Sequence, residues 1–179
     1  MKIIPYKQSL THSCLSACFL MIINSKKGVN FNDKDEQRIA LHGSSRNYDF
    51  YITGITSEIV KEYKVKVKIY VDNKYFTNIL QKSFSSNLVE IVHQKITINF
   101  IKKILKDNFA ICHVDINPLG DYSHSSHFVV LESLINKKIK IIDPWNGEKS
   151  NINNLKLEKA INSLKTQVKM CPLLLTFEE

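Results

Sequence analysis

Between Ser13 and Asn24 nearly every position is apolar: Leu15, Ala17, Phe19, Leu20, Met21, Ile22 and Ile23 leave almost no polar face. A helix hydrophobic all round belongs in a core. Thr11 or Ser13 stands where a cap is needed, and "SKKG" closes the segment with basic residues and a glycine. A second helix is predicted from Asp33 to Leu41, ending at His42-Gly43. "SSRNYDFYITG" reads as a loop, and "TSEIVKEYK" as a third helix capped by Thr56 or Ser57. The period then changes: Lys64, Lys66 and Lys68 alternate with Val65, Val67 and Ile69, the mark of a strand with one wet face. Lys74 to Lys82 predicts a further helix, while "SSNLVEIVHQK" has no dominant period. Thr97 is placed to cap a helix over "INFIKKILKD".

Strand patterns dominate the remainder. "FAICHVDI", "HFVVLESL", "KIKIIDP" and "CPLLLTF" all read as strands. The turn-rich "NPLGDYSHSS" separates the first two and "INKK" the second from the third; a helix near Leu155 to Lys165 precedes the last. Helices first and strands afterwards indicate an α+β chain, with N-terminal helices packed on an antiparallel sheet. A single domain over 1–179 is expected, its helical part roughly 1–107 and its sheet part roughly 108–179.

Composition narrows the classes. A chain of 179 residues can bury a full core without a disulfide or metal staple. The net charge of +8 comes from short lysine pairs and one alternating strand, with no basic block interleaved with aromatics. That argues for a solvated surface and against a nucleic-acid groove. Pro5, Lys7 and Gln8 interrupt any signal-peptide pattern, and no run approaches the roughly 18 apolar residues of a membrane span. A cytoplasmic location is expected, and with it four reduced cysteines.

The candidate chemistry starts in "QSLTHSCLSAC". Cys14 sits at the start of the apolar helix, where unpaired N–H groups and the helix dipole favour a thiolate. Taken singly, a cysteine there reads rather as a small buried hydrophobe than as a reactive thiol. His127 opens a strand and Asp143 closes the next; two strands joined by a tight turn bring them to one end of a sheet. A carboxylate in reach of an imidazole sets its tautomer and orientation. Gln8, six residues before Cys14, is placed to help hold an oxyanion. His124, in the loop among Ser123, Ser125 and Ser126, is the rival base. Cys18 is one helical turn from Cys14 and is expected in the core. His12, Cys14 and Cys18 lack any C-x-x-C pair or second ligand cluster, so no metal and no cofactor are expected. His113 and Cys112 should lie on opposite faces of their strand. Trp145 should either shield the His–Asp pair or cap the core.

"QSLTHSCLSACFLMI" followed by "HFVVLESLINKKIKIIDPWNG" resembles the double-glycine leader peptidases, papain-like cysteine peptidases that trim bacteriocin precursors. The resemblance implies a papain-like fold, with Gln8 in the oxyanion role, Cys14 as nucleophile, His127 as general base and Asp143 as orienting carboxylate. It implies a peptide or protein substrate and hydrolysis through a thioester. Where that family has Asp-Cys-Gly, this chain has Ser13-Cys14-Leu15, and Leu15 is expected to narrow the cleft or alter the approach of a substrate backbone. No transporter segment follows, so the chain is more similar to free-standing relatives. Two other readings stay open: a papain-like acyltransferase or amidase, and an inactive relative that binds peptides.

Overall fold

Ten consecutive residues of the first helix, Cys14 to Ile23, are buried. The computed structural model describes residues 2–45, 48–120 and 122–178. Helix α1 (Cys14–Lys27) runs through the core between α2 (Asp33–Gly43) and α3 (Tyr51–Tyr63) on one side and the sheet on the other. It stops at Gly28, whose left-handed φ of 65° lets its N–H reach the carbonyl of Asn24 at 2.8 Å. Ser13 occupies the cap position, but its hydroxyl turns back to the carbonyl of Leu10 at 2.8 Å and caps nothing. Asn32 caps α2 through a reciprocal capping box with Asp35.

Seven strands form one sheet: β1 (Lys66–Val71), β2 (Val89–His93), β3 (Ala110–Asp115), β4 (Ser126–Ile135), β5 (Lys138–Asp143), β6 (Glu148–Ile152) and β7 (Leu173–Glu178). Their order is β2-β1-β7-β3-β4-β5-β6. Side-chain alternation along β4 serves two cores, with Phe128 and Val130 facing α1 while Val129 and Leu131 face α6 (Asn154–Thr166). Helices α4 (Lys74–Ser83) and α5 (Ile98–Ile104) fill the connections, α5 capped by Thr97 through the N–H of Phe100. Asn136 and Lys137, both at positive φ, make the tight β4–β5 turn.

Four expectations change. Helix α3 begins at Tyr51 rather than near Thr56, because Ile52, Ile55 and Ile59 already form its buried stripe. Tyr51 to Gly54 thus leave the predicted loop, whose Arg46 and Asn47 lie outside the described residues, as do Asp121 of the turn-rich stretch and both terminal residues. β2 arises in the aperiodic segment and pairs parallel with β1, so the sheet is antiparallel except at that edge. These two strands of the first half complete the sheet of the second. β6 went unpredicted because only its last residue is buried, which hides any alternation. No helix among the described residues is long and apolar enough to cross a membrane.

The α2–α3 contact is close enough to exclude a methyl group. A Cβ on Gly54 would stand 1.8 Å from the carbonyl oxygen of Gly43. Gly54→Ala should therefore destabilise the fold by about 3 kcal/mol, the upper range for overpacking. Urea denaturation checks this, with Gly28→Ala, which has open space around its Cβ but a positive φ, as the comparison for backbone strain alone.

Candidate active site

The site forms where the start of α1 meets one end of the β4–β5 hairpin. Cys14 is the first residue of α1, 8% exposed, with no side-chain cap over the N-terminal turn. The dipole and free N–H groups of that turn therefore act at the thiol. His127, the second residue of β4, is 5% exposed. Its Nε2 lies 2.7 Å from Oδ1 of Asp143, the last residue of β5. The same carboxylate oxygen accepts the N–H of Trp145 at 2.9 Å, which fixes its direction. Cys14 and His127 line one cleft.

Burial pushes the His127 pKa down, but the bond to Asp143 and the neighbouring Cys14 thiol outweigh it and hold it at about 9. The arrangement favours a protonated His127 ring beside the Asp143 carboxylate. Cys18 differs in every respect: it is fully buried, its Sγ points at the carbonyl of Phe128 at 3.4 Å, and burial raises its pKa well above normal. It is a core residue, as expected.

The other expected residues separate clearly. Gln8 is buried, and both N–H groups of its amide are engaged, with the carbonyls of Leu10 at 2.6 Å and Thr11 at 3.0 Å. It holds the turn before Cys14, and its backbone N–H bonds the carbonyl of Pro144 at 2.7 Å, beside Asp143. His124 does not approach the thiol. Its Nδ1 is 2.5 Å from Asp115, a fully buried carboxylate that also accepts the Ser163 hydroxyl and the N–H groups of Asn117 and Ser125. That cluster anchors the loop forming the far wall of the cleft. Leu15 is fully buried against the core and does not line the cleft, so it does not narrow it. Trp145 is 42% exposed at the cleft rim and caps no core. Cys112 packs in the α6-side core, and His113 faces the opposite side against Phe128. All four cysteines are free, and no cluster of three metal-ligating side chains occurs among the described residues.

The cleft holds about 570 Å³ and is walled by Tyr51, Tyr122, Trp145 and Met170 around Cys14 and His127. A side chamber of about 350 Å³ adjoins it, lined by Phe50, Phe76, Phe128 and Leu173, and shares Tyr51, Ser126 and Met170 with it. Sequence reasoning missed Tyr51, whose hydroxyl donates to the carbonyl of His12 and steadies the turn before Cys14. Its signal was the spacing of Ile52, Ile55 and Ile59, which extends the helix back to it. Nothing local marked Met170, which enters from the approach to β7.

No protein-family model matches the chain, and no curated protein matches it. Solved structures do. One is a double glycine motif protease from an AMS/PCAT transporter, crystallised with its leader peptide: TM-score 0.53 at 16% identity, covering 98% of this chain and 91% of that one. Another, described as a C39-like peptidase from Bacillus anthracis, gives a TM-score of 0.59 at 13% identity, covering 98% and 94%. The chain has the papain-like α+β fold of these peptidases.

A pKa above the usual imidazole value means that folding stabilises the protonated ring. That contribution is complete below the unfolded value near 6.5 and is lost as pH rises through about 9. The stability advantage of the wild type over His127→Gln should therefore be present at pH 6 and decline through pH 9 in denaturation series. The His127 ring should titrate near 9 by NMR, and Cys14→Ser or Asp143→Asn should lower that midpoint.

Proposed function

We propose that this chain is a cysteine peptidase that cleaves a peptide bond through a thioester. The observation that carries the reading is the meeting of Cys14, at an uncapped helix start, with a buried His127–Asp143 pair held at 2.7 Å. The cleft is open, and one neighbour of the same fold was crystallised with a leader peptide.

In this reading the Cys14 thiolate attacks the carbonyl carbon. The backbone N–H of Cys14 faces the developing oxyanion at the helix terminus. The His127 imidazolium then gives its proton to the leaving amine, and the C–N bond breaks to leave the thioester. Water attacks next, with neutral His127 taking its proton, and the acid departs as the thiolate reforms. Asp143 keeps the ring turned with Nε2 toward itself, leaving Nδ1 for the sulfur and the leaving group. Gln8 serves by fixing the turn that carries Cys14; direct donation to an oxyanion requires it to release Leu10 or Thr11. Peptides with bulky apolar residues fit the aromatic walls better than a bare Gly-Gly pair does.

A peptidyl electrophile followed by mass spectrometry should label Cys14 and leave Cys18 and Cys171 untouched; label on either of those instead would sink the assignment. Cys14→Ala and His127→Ala should each lower peptide turnover by roughly a thousandfold or more, in the range seen when one member of a catalytic triad is removed.

A further inference from the structure

Two polar side chains beside the cleft have no part in this chemistry. His113 of β3 is 2% exposed and lies flat on Phe128, ring centroids 4.4 Å apart. Its Nδ1 stands 3.0 Å from the carbonyl oxygen of Cys171, and its Nε2 stands 2.7 Å from the hydroxyl of Ser126. A carbonyl only accepts, so Nδ1 carries the ring proton. Burial pushes the His113 pKa down to about 4, which leaves the ring neutral and Nε2 a bare acceptor. The Ser126 hydroxyl must then donate to Nε2. Its proton is committed, and its oxygen offers only lone pairs to whatever lies in front of it.

Ser126 is partly exposed at the start of β4, next to His127, and it lines both the cleft and the apolar side chamber. A histidine held neutral with so low a pKa is a weak base near neutral pH, so this pair is no second nucleophilic centre. Its chemistry is that of a fixed acceptor at a doorway between two cavities. The complementary group is an N–H whose neighbouring side chain is apolar.

We infer that Ser126 accepts a backbone N–H of the bound peptide and turns the adjoining bulky apolar side chain into the chamber lined by Phe50, Phe76, Phe128 and Leu173. His113 is the positioning residue that fixes the hydroxyl. The inference rests on the peptidase reading and adds a substrate-orienting contact to it. It also assigns a substrate class: peptides carrying a large apolar residue directly before the one that supplies the scissile carbonyl, held by that apolar residue's own amide.

The probe is acetyl-Ala-Phe-Gly-aldehyde and the same compound with each backbone nitrogen methylated in turn. With the wild type, one methylation should weaken inhibition roughly tenfold, the worth of one hydrogen bond at a partly desolvated site. Ser126→Ala should weaken the unmethylated aldehyde by a similar factor and make that same methylation cost nothing further. His113→Gln should keep the methylation penalty, because an amide also presents one donor and one acceptor, whereas His113→Leu should reduce it. Alkylation of Cys14 by iodoacetamide should be unchanged in Ser126→Ala, and circular dichroism confirms folding of each variant. Equal methylation penalties in wild type and Ser126→Ala overturn the inference while leaving the peptidase reading in place. Absence of inhibition by any aldehyde also overturns it, and if iodoacetamide alkylation is then independent of His127, the peptidase reading falls as well.

Discussion

The thiol of Cys14 cannot be moved without moving the core. The helix behind it is enclosed from Cys14 to Ile23, so its first residue is set by packing on every side. Close-packed interiors transmit displacement rather than absorb it. Every other group of the site is consequently delivered to a fixed point. The β4–β5 hairpin brings His127 and Asp143 from one direction, and Gln8 and Tyr51 brace the turn before the helix from two others. A site built on rigid elements holds geometry better than one built on loops. A cysteine at the start of so apolar a helix is held in place by the whole core.

Three histidines near the cleft end show how environment separates one residue type into three roles. His113 and His127 are both buried on neighbouring strands. His113 meets a neutral carbonyl and a hydroxyl, and desolvation wins, leaving it at about 4. His127 meets a carboxylate and a thiol, and charge wins, leaving it at about 9. His124 also finds a carboxylate, Asp115, but from an exposed loop and away from the sulfur. A His–Asp contact is therefore no signature by itself; the third partner decides what the pair does.

Much of this was readable from one sequence, because the informative features were long or sharply placed. The all-apolar helix, the four late strands and the alternating lysine strand each carry several concordant positions. The pairing of His127 with Asp143 followed from two strands and a four-residue turn, since hairpin geometry fixes which ends meet. What escaped had a weak or contradictory local signal. β6 is wet along four of its five residues, and β2 lies at an edge with a single buried residue. The start of α3 was hidden by the polar composition before it. Gln8 shows a further limit. Spacing placed it near Cys14, but no sequence pattern says whether an amide will spend its donors on a substrate or on two neighbouring carbonyls. The acceptor role of Ser126 was likewise invisible, since it depends on a tautomer set by Cys171, 45 residues further along.

The N-terminal segment is sewn to parts of the chain far from it. The N–H of Ile3 bonds Glu132 at 3.0 Å, Lys149 bridges Ile3 and Glu132, and Gln8 bonds Pro144. Contacts of such long separation form late, because the entropy of closing large loops must be met before they stabilise anything. During synthesis, Cys14 emerges more than a hundred residues before His127. The two residues can meet only when the sheet is complete. Chain order itself acts as a timer: in the peptidase reading, a nascent polypeptide carries no assembled centre until the fold has closed.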